Sequence, residues 1–193
     1  MSLEAEFAVV DLIKDSGAVT LGVDALTLSI VKLERQLRRL FTHLVFQCEA
    51  LDDGNIPELV KALEERPDVN VTGFITGIDA LFRFSVSDMV GPRYSKSRTE
   101  LREIYKVRNK LFHGQLTGES LDQCQLLERV ATVREWCELL SAGALARVGY
   151  DGFGRDSFRK SDRALAADYR EQLDSVDAYR AFIGAHVVGR TNW

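Results

Sequence analysis

Apolar residues recur three and four apart along most of the chain, the spacing of one face of an α-helix. Residues 4–14 carry Phe7 and Val10 on one side, with Ile13 at its edge. Residues 23–49 form a long helix whose stripe is Leu26, Ile30, Leu33, Leu37, Leu40 and Leu44, with Lys32, Arg35, Arg38 and Arg39 on the outer face. Asp52-Asp53-Gly54-Asn55 breaks the chain, and Pro57 opens a short helix ending near Arg66-Pro67. Residues 72–88 are expected as one core helix through Phe74, Ile75, Ile78, Leu81, Phe82 and Val86, closed by Gly91-Pro92. Strand competes there because of β-branching, but length and spacing favour helix. Asn70-Val71-Thr72, which fits a glycosylation pattern, reads as the helix entry. Ser97 or Thr99 is expected to cap a helix running to Phe112, ended by His113-Gly114. Residues 119–147 give a last long helix with Leu126, Leu127, Val130, Val133, Trp136, Cys137, Leu140, Ala144 and Leu145 inside.

After residue 148 the periodicity weakens. Gly149 to Gly154 is a glycine-aromatic loop, followed by charged sequence with short helical patterns near 161–173 and 174–184. No set of alternating, strand-length runs occurs. The expected fold is therefore an all-α helical bundle with a C-terminal helical and loop appendage. Residues 1–148 form the helical domain, with its core about 23–147, and 149–193 the appendage.

The chain of 193 residues suffices for one substantial core. Its net charge of −4 argues against a protein that coats nucleic acid through bulk positive charge. The charge is uneven, however. Between Arg93 and Gly114 seven basic residues face only Glu100 and Glu103, a local charge of +5. Cys48, Cys124 and Cys137, odd in number and without close spacing, read as reduced core cysteines. The acidic N-terminus does not resemble a signal peptide, and no run approaches the apolar length of a membrane span. A cytoplasmic protein without membrane partners is expected.

One residue does not fit its helix. On the wheel of residues 98–113, Leu101, Ile104, Tyr105, Leu111 and Phe112 share a side, and Arg108 lies in its middle. A guanidinium cannot give up its charge, so a core-facing one needs a carboxylate, a carbonyl or an anion. Pairing with Asp79 or Glu103 is the ordinary solution. The neighbours suggest another. Asn109 follows directly and can hydrogen-bond a phosphate or sugar oxygen. His113 comes at the helix end, where the partial negative charge favours imidazolium and keeps it titrating near neutrality. These are the parts for phosphodiester chemistry without a metal or other cofactor.

The stretch Arg108-Asn109-Lys110-Leu111-Phe112-His113-Gly114, in an all-α chain, resembles the HEPN superfamily. The signature of that family is Arg, four to six residues, then His, often with Asn after the Arg. Residues 74–82 are similar to the aromatic-rich helix that packs on the motif helix in these proteins, and the resemblance stops at residue 149. It implies a homodimer with two motifs at a shared cleft. It also implies a metal-independent endoribonuclease of toxin–antitoxin or phage-defence type, with an antitoxin or regulatory protein as a further partner. Arg108 would then hold the scissile phosphate, His113 would transfer a proton during attack by the RNA 2′-hydroxyl, and Asn109 would support the phosphate or the dimer interface. The charge on the motif helix makes Arg102, Lys106 and Lys110 the candidate RNA-binding residues. Other members, resembling the mannitol-operon repressor, act as dimeric interaction modules without nuclease activity, and the low overall charge favours that alternative.

The remaining candidates carry less. His43 reads as a partly exposed structural residue, and His186 is unremarkable. The three His and three Cys lack metal-site spacing. The Gly149–Gly154 loop is no phosphate-binding fingerprint. The run 150–160 interleaves aromatics with Arg and Lys, as surfaces that stack on single-stranded RNA do, yet packing of Phe153 and Phe158 on the bundle is the simpler reading. The basic face of Lys32, Arg35, Arg38 and Arg39 is a solvated face or, if RNA enters the cleft, a track for its backbone.

Overall fold

A computed structural model of the chain describes residues 2–112, 121–154 and 156–189. Eight α-helices occur among them: α1 (Leu3–Lys14), α2 (Leu21–Phe46), α3 (Ile56–Glu64), α4 (Val71–Leu81), α5 (Val86–Val90), α6 (Tyr94–Phe112), α7 (Gln123–Val148) and α8 (Val176–Phe182). No strand is present among the described residues; Phe82 and Tyr169 pair only as an isolated bridge. The all-α bundle expected from the spacing is therefore what the chain forms. None of these helices is long and apolar enough to cross a membrane.

α2 is the axis. Every member of its predicted stripe, from Leu26 to Leu44, is buried. Ala25, Ser29, Gln36, Phe41 and His43 are buried as well, because α1, α4 and α7 pack around this one helix. Buried polar groups call for hydrogen bonds; Ser29 Oγ donates to Ala25 O at 2.7 Å, while Gln36 is bonded through its nitrogen and its Oε1 is buried with no partner among the described residues. Gln36 Nε2 donates to the carbonyls of Cys137 (3.0 Å) and Asp151 (3.1 Å), and so ties α7 and the chain beyond it to the axis. His43, expected to be partly exposed, is fully buried, with its ring against Tyr150 at 4.4 Å. Glu6 of α1, 1% exposed, meets Lys32 (3.0 Å) and Arg35 (3.1 Å) of α2. Two cations of the basic face thus compensate a buried carboxylate and are not simply solvated.

The helix expected over 72–88 is two helices. Asn70 caps α4 by accepting from Gly73 N at 3.0 Å, as its sequence suggested. The helix ends at Leu81, and Phe82 is extended. Leu81 O accepts from Arg170 N (2.9 Å), Arg83 N donates to Asp168 O (2.8 Å), and the Phe82 ring lies 4.4 Å from Tyr169. The distant tail thus takes up backbone groups that a continuing helix would have used. Ser85 and Asp88 then form a capping box that starts α5, a signal visible in the sequence as Ser-x-x-Asp.

The helix expected to begin at Ser97 or Thr99 begins at Tyr94, after the turn Gly91–Arg93. Both hydroxyls instead bond back to the carbonyl four residues earlier, Ser97 to Arg93 O in the turn and Thr99 to Ser95 O within α6. Its expected end at His113-Gly114 lies outside the described residues. In α7, capped by Asp122, the expected core positions are buried apart from Leu127, which is partly so, and Leu145, which is exposed. Cys48 and Cys137 are core residues, whose burial pushes their thiols up, whereas Cys124 is exposed at the start of α7.

The segment expected as an appendage enters the same core. Tyr150, Phe153, Leu165, Tyr169, Leu173, Tyr179, Phe182, Ile183 and Val187 are all buried in it. Tyr179 and Phe182 stack around Phe41 of the axial helix, and Tyr169 Oη donates to Leu44 O at 2.8 Å. Phe153 is buried and Phe158 sits edge-on to Phe46, so these two aromatics do pack on the bundle.

α5 and α7 approach closely at Gly143, where a Cβ would run into the Met89 carbonyl. Alanine normally favours a helix interior over glycine by about 1 kcal/mol. Here the sign should reverse: Gly143→Ala is expected to cost about 1–3 kcal/mol through overpacking, read as a lowered midpoint in urea unfolding.

Candidate functional site

α6 buries Leu101, Ile104 and Tyr105, one side of its wheel, against the bundle. Arg108 continues that side one turn further on, where the core gives way to a cavity. It is half-buried, and its Nη1 donates to Asn109 Oδ1 at 3.0 Å. The guanidinium lies over the Phe112 ring at 4.7 Å. Its Nε is buried with no hydrogen-bond partner among the described residues. Neither carboxylate offered by the sequence pairs with it. Asp79 accepts from Val86 N at 2.7 Å, and Glu103 meets Lys106 at 2.8 Å.

The cavity measures about 710 Å³ and brings three arginines together. Arg35 and Arg38 come from α2, Arg108 from α6; Phe74 of α4 and the turn Pro67–Val71 complete the wall. The Arg38 guanidinium lies over the Phe74 ring at 5.5 Å. Two carboxylates, Glu34 and Asp68, also line the space. Glu34 is held from behind, since Tyr105 Oη donates to its Oε1 at 3.2 Å. Burial first, and then the neighbouring Glu34 carboxylate, push the Tyr105 hydroxyl well above its ordinary range, while Arg108 opposes that shift. Tyr105 is therefore a neutral donor that positions Glu34, and not a proton-transfer group near neutral pH.

Of the residues named from sequence, the structure sets Arg108 at this cavity's edge, with Asn109 bonded to it but not lining the space. His113 lies outside the described residues. Arg102, Lys106 and Lys110 are exposed and do not line the cavity. At 100° per residue they sit roughly 120° to 160° round α6 from Arg108, so the positive charge counted along this stretch is not gathered on the Arg108 face. The positive charge beside Arg108 at the cavity comes instead from α2. Arg35 and Arg38 were legible as a basic face, but nothing local marked that face as the wall opposite Arg108. Glu34 had no functional signal in the sequence, and Phe74 was marked only as part of the aromatic-rich stretch 74–82.

Chemically the arrangement can hold an anion. Guanidinium groups bind phosphate oxygens through forked donors and keep their charge when partly desolvated. Among the described residues no three His, Cys, Asp or Glu side chains group to hold a metal ion. Compared with known protein families, curated proteins and solved structures, the chain matches none.

Proposed function

We propose that the protein is a metal-independent endoribonuclease of HEPN type that works as a homodimer. The observation that supports this most is Arg108: a half-buried guanidinium at a cavity edge, with a buried, unpartnered Nε and no carboxylate ion pair among the described residues. A positioned charge of this kind favours the extra negative charge of a phosphorane-like transition state over the ground-state diester.

In the reaction, the 2′-hydroxyl of the RNA attacks the adjacent phosphorus as a base removes its proton. The bond to the 5′-oxygen breaks, and that oxygen takes a proton. The products are a 2′,3′-cyclic phosphate and a 5′-hydroxyl. Arg108 holds the non-bridging oxygens, with Asn109 beside it. His113 is the proton-transfer group. One imidazole cannot be base and acid in the same step, so a second subunit supplying its own His113 completes the chemistry. The requirement for a 2′-hydroxyl restricts cleavage to RNA. A toxin or phage-defence role follows the family resemblance, with an antitoxin or regulatory protein restraining the enzyme.

A second reading, a dimeric interaction module without catalysis, draws on Glu34 and Asp68. Their carboxylates repel a polyanion, and Glu6 already neutralises part of the Arg35 charge. The two readings separate when purified protein is incubated with mixed RNAs in excess EDTA. Cleavage under chelation is the expected result. A folded dimer that leaves every RNA intact would favour the module.

A further inference from the structure

A second groove adjoins the first. It measures about 170 Å³ and lies between α2, α3 and the tail, lined among others by Arg38, Arg39 and Thr42 on one side and by Ser157 and Phe158 on another. Arg38 borders both spaces, so the Arg108 cavity and this groove meet at one side chain. Arg38 is exposed, and among the described residues Arg39 is held by a single long contact of 3.4 Å, to the Phe153 carbonyl. Phe158 is half-exposed, its body fixed edge-on against Phe46. Glu64 is the one carboxylate among the described residues that line the groove.

We propose that this groove is a subsite for the RNA strand flanking the bond held at Arg108. The inference rests on the ribonuclease reading of that cavity. The strand passes Arg38, its next backbone phosphate lies against Arg39, and a base rests on the open part of the Phe158 ring. Single-stranded nucleic acid is the occupant that these features match together: consecutive guanidiniums along a helix for the backbone, and a rigid aromatic beside them for a base. An acidic protein segment would use the cations but not the ring. The tail, outside the family resemblance, thereby gains a role in substrate length selection.

The test measures binding of fluorescein-labelled oligouridylates, a tetranucleotide and a dodecanucleotide, to the full chain and to Arg39→Gln, Phe158→Leu and Arg108→Ala. Thermal melts confirm that each variant is folded. The parent should bind the longer oligomer more tightly. Arg39→Gln and Phe158→Leu should each reduce that preference about tenfold. The salt slope for the longer oligomer should fall by about 0.7 in Arg39→Gln, one phosphate contact on a single strand. If Arg108→Ala weakens both oligomers while the two groove variants keep the full length preference, the subsite is overturned and the Arg108 site stands. If the parent binds neither oligomer, both fail. If a polyglutamate probe binds with the same dependence on Arg39 and none on Phe158, the groove belongs to an acidic protein segment and the RNA subsite is overturned.

Discussion

Arg108→Ala should reduce RNA cleavage by about 10²–10³-fold while leaving the protein folded. That factor is the usual loss when one preorganised donor to a developing oxyanion is removed, about 2.7–4 kcal/mol of transition-state stabilisation. The structural cost should be much smaller. Arg108 is only half-buried, it makes no ion pair among the described residues, and its contact with the Phe112 ring is worth about 0.5–1 kcal/mol. Thermal unfolding and single-turnover cleavage therefore separate a chemical role from a packing role. Arg108→Lys keeps the charge but loses the planar fork, and should restore only a small part of the rate. A variant that lost stability and cleavage in parallel would place Arg108 among the packing residues.

Removal of 149–193 should abolish the folded state. The tail buries nine large side chains in the common core, from Tyr150 to Val187. Each is worth about 1.5–3 kcal/mol on burial, against a total stability of about 5–15 kcal/mol for a domain. The truncated chain would also leave Leu81 O, Gln36 Nε2 and the face of Phe41 without the partners that the tail supplies. The expected product is insoluble, or a compact state without fixed near-ultraviolet dichroism. Phe182→Ala offers a graded version, with an expected loss of about 3–5 kcal/mol in equilibrium unfolding. A truncated 1–148 with a cooperative melt near that of the full chain would show that the tail is an accessory after all.

These two regions differ in how far the sequence announces them. The α2 stripe is fully legible, because a long helix buried by its neighbours repeats its apolar residues at the helical period, and each predicted position is buried. The break after Leu81 is not. Apolar spacing continues smoothly through Phe82 and Val86, and what stops the helix is a hydrogen-bonded segment some ninety residues away. The Ser85/Asp88 capping box was the local clue. The tail escaped for a related reason: Tyr169, Leu173, Tyr179 and Phe182 are apolar but follow no long period, so nothing local distinguishes a chain threaded into a core from one laid on a surface.

At the site, Arg108 stood out because a charge interrupts the apolar side of its own helix, and a wheel detects that. Its companions did not stand out. A charge count along residues 93–114 ignores direction, and so it nominated Arg102, Lys106 and Lys110, which point elsewhere. Arg35, Arg38 and Glu34 reach the cavity only through the packing of α2 beside α6, a tertiary relation with no sequence period.

The most direct test of the account identifies the ends of cleaved RNA. A defined RNA and the same RNA carrying a single 2′-deoxy nucleotide at the cleaved position are incubated in EDTA with the parent, Arg108→Ala and His113→Ala. The parent should leave 2′,3′-cyclic phosphate and 5′-hydroxyl ends and make no cut at the deoxy position, and either variant should give little or no product. Ends with 3′-hydroxyl and 5′-phosphate, or equal cleavage by all three proteins, would contradict it.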